Sequence, residues 1–214
     1  MAESPAEQRP TDETSAARTK RGAGEKRERI LAAAVRVFAK KGFYAARVSE
    51  IARAAGVADG TIYLYFKNKD ELLTTIFEQG IRKLIARMRE ALDAHETAAD
   101  RIRRMVEIQL GVLGESRELA QVITVNLRQS SELLEHYGQP LFLEYLHVLA
   151  RVVKEGQASG ELRADVSPQT AARALFGALD GIALSWAYGS AEPEVLRKAS
   201  GQVAALFLSG LERR

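Results

Sequence analysis

Apolar residues recur at helical spacing along most of the chain, and no segment alternates with the two-residue period of a strand. Ile30, Ala34, Val37 and Phe38 fall at i, i+4, i+7 and i+8, an apolar stripe with Lys and Arg on the opposite face. Gly42 ends that stripe beside Lys40 and Lys41, cations that suit a helix C-terminus. Val48, Ile51, Ala52 and Ala55 make a second, short stripe closed by Gly56. Ile62 and Phe66 are the buried pair of a third, very short helix. Asn68 then reads as an N-cap with Glu71 at the third helical position, close to a capping box. It opens a long helix with Leu72, Leu73, Ile76, Phe77, Ile81, Leu84, Ile85 and Met88 inward.

The remaining helices announce themselves by their starts. Thr97 precedes one that runs to about Gly114, with Ile102, Met105, Val106, Gln109 and Val112 on one side. Ser116 precedes another over 119–127, and a third runs from about Pro140 to Ala158, closed by Gly160. Ser167-Pro168 is an N-cap followed by Pro at the first helical position, and Pro193 starts a last helix. The pattern predicts an all-α chain of about nine helices. The helix over 169–188 is apolar or small on nearly every side, which calls for more partners than one small domain supplies. We therefore read the last two helices as a homodimer interface, with Leu175, Leu179, Ile182, Val203, Leu206 and Phe207 as its candidates.

Composition narrows the chemistry. The 214 residues allow one large domain or two small ones. Cys is absent, which excludes disulfides, thiolate metal sites and a Cys nucleophile. His occurs only at 95, 136 and 147, so no metal site or cofactor is expected. Glu144-x-x-His147 has the spacing of a di-iron carboxylate bundle, but no second copy exists. Gly22 and Gly24 lack the preceding strand and third glycine of a phosphate loop, and no G-x-S-x-G occurs. No segment reads as a transmembrane helix and no secretory signal is visible, so a cytoplasmic protein without membrane contact is expected. The formal net charge of +3 hides an asymmetry: residues 18–70 carry thirteen Lys or Arg against five acids. Such a block suits a polyanion. Residues 1–24 read as a disordered arm ending in Arg18-Thr19-Lys20-Arg21, residues 25–70 as a three-helix unit and residues 71–214 as a larger helical body.

The second and third helices have helix-turn-helix proportions. Gly56 supplies the turn, while Ile62 and Phe66 anchor the recognition helix and leave Gly60, Thr61, Tyr63, Leu64 and Tyr65 outward or sideways. Tyr and Thr hydroxyls can bond phosphate oxygens, and Lys69 at the start of the long helix also suits a phosphate.

Residues 30–73 resemble the DNA-binding head of the TetR-type transcriptional regulators. The match lies in Ala54-Ala55-Gly56-Val57, then Gly60-Thr61-Ile62-Tyr63-Leu64-Tyr65-Phe66, then Lys69-Asp70-Glu71-Leu72-Leu73. The resemblance implies a three-helix head and a ligand-binding, dimerising body, and it implies a homodimeric repressor of a palindromic double-stranded DNA operator, not an enzyme. The head positions expected on DNA are Arg47, Val48, Ser49, Ala58, Asp59, Gly60, Thr61, Tyr63, Leu64, Tyr65, Lys67 and Lys69. Ala46, Arg47 and Ala58 stand where many members carry Ser or Thr, so weaker capping of the second and third helices is expected. Asp59 favours its helix dipole but repels phosphate.

Two stretches of the body, Arg117-Glu118-Leu119-Ala120 and Asn126-Leu127-Arg128-Gln129-Ser130, resemble the fatty-acid-degradation repressors of that family. This implies a small apolar effector of the long-chain acyl-CoA class. The candidates for holding it are Ile102, Met105, Val106, Gln109, Arg128, Phe142, Leu146 and Trp186, with Arg101, Arg103 and Arg104 as further cations for a CoA head. Two alternatives are a repressor of an efflux or other catabolic operon with an unrelated apolar ligand, and a helical adaptor without DNA affinity.

Overall fold

The computed structural model describes residues 12–92, 97–126 and 139–211, with side chains over 21–92, 97–125 and 140–211. Among the described residues there are nine α-helices and one π-helical turn. They are α1 (Asp12–Lys41), α2 (Val48–Ala55), α3 (Asp59–Ile62), α4 (Lys69–Leu92), α5 (Ala98–Gly114), α6 (Arg117–Gln121), the π-turn (Val122–Asn126), α7 (Gln139–Ala158), α8 (Pro168–Tyr188) and α9 (Glu194–Leu211). The starts follow the expected chemistry. Thr97 Oγ1 accepts from the Asp100 N–H at 3.1 Å, Ser116 Oγ from Leu119 at 3.2 Å and Ser167 Oγ from Thr170 at 3.4 Å.

Two expectations change. The helix α1 begins at Asp12, where a disordered arm was expected up to residue 24. Past Pro10 the stretch has no further proline and is rich in Ala, Arg, Lys and Glu, and Arg21 and Glu25 pair one turn apart at 3.6 Å. The segment after Ser116 also does not stay α-helical: α6 is five residues long and gives way to the π-turn. Within it Thr124 turns its hydroxyl onto the Ala120 carbonyl at 2.7 Å.

The helices enclose two hydrophobic cores. The first gathers Ile30, Phe38, Ile51, Ile62, Phe66, Leu72, Leu73 and Ile76 from α1 to α4. The second runs from Phe77 through α5, α7, α8 and α9 to Leu211. The chain crosses from one to the other inside α4, between Ile76 and Phe77. A second crossing is Val122 of the π-turn, fully buried in the first core, while Ala120 just before it belongs to the second.

Arg117 fixes α6 to the end of α8. Its guanidinium donates to the carbonyls of Trp186, Gly189 and Ala191, and it lies 4.3 Å from the centre of the Trp186 ring. Gln121 adds a bond to the Ala187 carbonyl at 2.8 Å. This arrangement accounts for Trp186: it is a core residue stacked under Arg117, away from the cavity described below.

At Gly156, α7 comes close to the start of α5. A Cβ on Gly156 would stand 2.5 Å from the Ala98 Cβ and 2.8 Å from Leu162. Gly156→Ala is therefore expected to cost about 1–3 kcal/mol by overpacking. Urea unfolding checks this; an unchanged midpoint would contradict the packing described.

Candidate nucleic-acid interface and effector cavity

The recognition unit is shaped by its caps. Arg47 precedes α2 with its side chain accepting no cap bond, and Glu50 covers for it by accepting the Arg47 N–H at 3.2 Å. Lys41 also bonds Glu50, and these two contacts hold its carboxyl below the usual carboxylate range. Gly56 closes α2 at φ +66°, a left-handed value that other residues rarely adopt. The Val57 N–H reaches the Ala52 carbonyl at 3.0 Å and the Gly56 N–H reaches Arg53 at 3.2 Å, which completes the turn. Ala58 offers α3 no side-chain cap, as its loss of a hydroxyl implied. Instead α3 is held from below: Ile62 and Phe66 are buried, and the Arg27 guanidinium lies 5.1 Å from the Phe66 ring.

What remains outside is compact. Tyr63 is 58% and Leu64 80% exposed, with Ala58, Asp59 and Gly60 also in solvent and Thr61 half-buried. Arg47, Ser49 and Lys67 are exposed on the flanks. Val48 and Tyr65 are half-buried against the first core, so both serve packing as well as any surface role.

Lys69 is the clear correction. Its Nζ donates to the carbonyls of Phe43 at 2.7 Å, Ala46 at 3.1 Å and Tyr44 at 3.2 Å, and lies 4.5 Å from the Phe43 ring centre. Three acceptors use all three ammonium hydrogens. Lys69 therefore ties the α1–α2 loop to the start of α4, and a phosphate role does not fit. The reason is the gap between Gly42 and Arg47, where the carbonyls of Phe43, Tyr44 and Ala46 lie outside any helix and need donors. That clamp also sets Tyr44, 68% exposed, beside the recognition unit. Sequence reasoning passed over Tyr44; an aromatic just after a helix-ending glycine, outside any apolar stripe, was the available signal.

The body holds a mostly apolar cavity of about 80 Å³. Phe77, Gly80, Ile81 and Leu84 of α4 form one wall, and Ile123 and Thr124 of the π-turn another. Gln109 and Val112 of α5, Tyr145 of α7, and Phe176 and Asp180 of α8 complete it. The Tyr145 hydroxyl donates to Gln109 Oε1 at 2.6 Å, and burial drives its pKa up, so the phenol stays neutral.

Of the effector candidates, Gln109 lines this cavity. Ile102, Met105, Val106 and Leu146 are buried in the second core away from it. Ile102, Met105 and Val106 share the apolar face of α5 with Gln109 but sit one or two turns before it, and Leu146, next to Tyr145, points off round α7. Phe142 meets the cavity's Phe176 edge to face, ring centres 4.8 Å apart. Arg128 lies outside the described residues. Arg101, Arg103 and Arg104 pair with Glu155, Asp100 and Glu107 at 2.9, 2.8 and 3.3 Å. Among the dimer candidates, Leu175, Leu179 and Val203 are buried in the protomer's own core, because α5, α7 and the other helices cover that side of α8 and α9. Ile182 and Phe207 are half-buried and Leu206 is 75% exposed. Glu144 pairs with Arg89 at 2.7 Å and His147 is exposed; no metal-ligand cluster occurs among the described residues. Among them no helix is long and apolar enough to cross a membrane.

Comparison with known proteins agrees with this geometry. Residues 30–76 match "Bacterial regulatory proteins, tetR family", and residues 77–210 match "YsiA-like protein, C-terminal region". The fatty acid metabolism regulator protein of Bacillus subtilis (strain 168) is 33% identical over 185 residues, which is 86% of this chain and 95% of that protein. A fatty acid degradation regulator from Bacillus halodurans superposes with a TM-score of 0.80 at 32% identity, over 88% of this chain and 97% of that one. A FadR regulator from Bacillus subtilis, solved with stearoyl-CoA, superposes at 0.78 with 34% identity, over 86% and 98%.

Lys69→Met and Tyr63→Ala separate support from surface. Lys69→Met is expected to cost about 1–3 kcal/mol, the penalty for orphaning partly buried carbonyls. Tyr63→Ala is expected to stay within about 0.5 kcal/mol, as for an exposed side chain. Thermal unfolding of the two variants checks both, and equal melting temperatures would contradict the clamp.

Proposed function

The chain belongs to the TetR family of bacterial regulatory proteins and is a DNA-binding transcription regulator, and on that footing we propose that it is a homodimeric repressor released from its operator by a long-chain acyl-CoA. Three lines support the effector class. The chain matches Bacillus fatty-acid regulators over nearly their whole length. One of those was solved with stearoyl-CoA. The body carries a largely apolar cavity at the place where both cores meet. DNA and acyl-CoA both belong to the cytoplasm, where we place the protein. The residues up to about 70 act as the DNA-binding head and those after as the body.

The head offers Arg47, Ser49, Thr61, Tyr63, Leu64 and Lys67, with Tyr44 added, to the major groove and its phosphates. Two such heads must stand about 34–36 Å apart to meet successive major grooves. The seam that sets this spacing is the outward side of α8 and α9. Gly177, Gly181, Gly201 and Gly210 there have nothing within 4 Å, and Ile182, Leu206 and Phe207 supply apolar area.

The observation that carries the release mechanism is the position of the cavity wall. Phe77 and Ile81 line it a turn after Leu73 and Ile76, which belong to the head core. Ile123 and Thr124 line it next to Val122, which is buried in the head core. At about 80 Å³ the cavity is smaller than the roughly 150 Å³ that holds one benzene in an engineered protein. A long acyl chain has to displace a wall to enter. Both displaceable walls continue into the head, so entry tilts it. A coupling of about 1–3 kcal/mol lowers operator affinity roughly 5- to 150-fold.

Operator DNA selected from a random pool should be palindromic and bound with a steep inverse dependence on salt. Stearoyl-CoA should weaken that binding within this range, and CoA alone should not. Tyr63→Ala should weaken it tenfold or more without dissociating the dimer. Undiminished operator binding at saturating stearoyl-CoA would refute the effector assignment.

A further inference from the structure

The cavity is not uniformly apolar: a buried amide is part of its lining. Gln109 is 5% exposed and sits among Ile81, Leu84 and Val112. Its Oε1 is taken by the Tyr145 hydroxyl at 2.6 Å, which leaves the two Nε2 hydrogens to point elsewhere. Among the described residues no acceptor takes a hydrogen bond from Nε2, and Gln109 lines the cavity. The orientation is enforced. Tyr145 is itself 2% exposed and wedged against Phe142 and Phe176, with ring centres at 6.2 and 5.8 Å. Its burial keeps the phenol a neutral donor, and the amide oxygen is its acceptor.

We infer that Gln109 is a specificity-determining residue that donates to a carbonyl oxygen on the effector's acyl chain, with Tyr145 as its positioning residue. A ligand without an acceptor at that depth leaves the amide desolvated and unpaired, and sites built this way discriminate against the analogue lacking the acceptor. On an acyl-CoA two oxygens qualify: the thioester carbonyl, or an oxo group further along the chain. The inference rests on the acyl-CoA reading only for the choice of ligands.

Three CoA ligands separate the sources: palmitoyl-CoA, its S-hexadecyl thioether without the carbonyl, and a thioether of the same length with a mid-chain oxo group. Dissociation constants are measured by calorimetry on the wild type and on Gln109→Met, which keeps the side chain's length. If the thioester carbonyl is the partner, palmitoyl-CoA binds at least tenfold tighter than the plain thioether. If a chain oxygen is the partner, the oxo thioether holds that advantage. In either case Gln109→Met abolishes the preference, and Tyr145→Phe reduces it. Equal binding of all three by the wild type, or a preference that survives in Gln109→Met, overturns the inference. Should none of the three bind, the acyl-CoA reading fails by itself. The side-chain amide signal missing from Gln109→Met is then followed in nitrogen-15 spectra as 2-octanone is added: a shift sustains the inference and its absence overturns it.

Discussion

A single helix has to satisfy two hydrophobic cores. Leu72, Leu73 and Ile76 of α4 are buried among the head's residues, and Phe77, Ile81 and Ile85 among the body's. Neither set can be relaxed alone, because packed interiors respond to displacement by shifting, not by compressing. The π-turn repeats the arrangement on a smaller scale, with Val122 on the head side and Ile123 on the cavity side. Arg117 pins the start of α6 to the end of α8, so motion of the π-turn is referred to the rigid body. Gly80 lets the two crossings come close: a Cβ there would stand 3.1 Å from Ile123 Cδ1. Head position and cavity shape are thus linked by contact, through two discrete elements, as coupling between sites requires.

Much of this was legible in the sequence because it rests on local chemistry. The apolar period, the Ser and Thr caps and the Pro starts place nearly every helix. The Gly56 turn and the Ile62–Phe66 pair identify the recognition unit, since a helix so short can only be held by its anchors. Lys69 was misread for a physical reason. A cation at a helix start faces either phosphate or protein carbonyls, and the choice depends on a loop 23–26 residues earlier that the local pattern does not place. The start of α1 was misread for another: a stretch without an apolar stripe looks like coil unless helix propensity and the absence of proline are weighed.

The body is harder to read than the head, because an apolar face there can serve the core, the cavity or both. Ile102, Met105, Val106 and Gln109 lie on one stripe of α5, yet the open space meets only the C-terminal end of that stripe. Gln109 was the telling residue: a polar side chain at a buried position of an apolar face needs a reason to be there. Likewise α8 has two apolar sides. Leu175 and Leu179 serve the protomer's own core, and the small residues around Gly177 and Gly181 are left outward. Apolar period alone cannot tell a core face from a seam; side-chain size does better, since close helix approach favours glycine and alanine.

The decisive quantity is the distance between the two recognition helices of the dimer. The chain has no cysteine, so Leu64→Cys at an 80% exposed position takes one spin label per protomer without background. Electron–electron double resonance then reports the separation with and without stearoyl-CoA, in the absence of DNA. Coupling through α4 and the π-turn requires the distribution to move away from the spacing found on operator DNA when the ligand binds. An unchanged distribution under a ligand that nonetheless releases the operator would mean that the cavity and the head communicate by some other route.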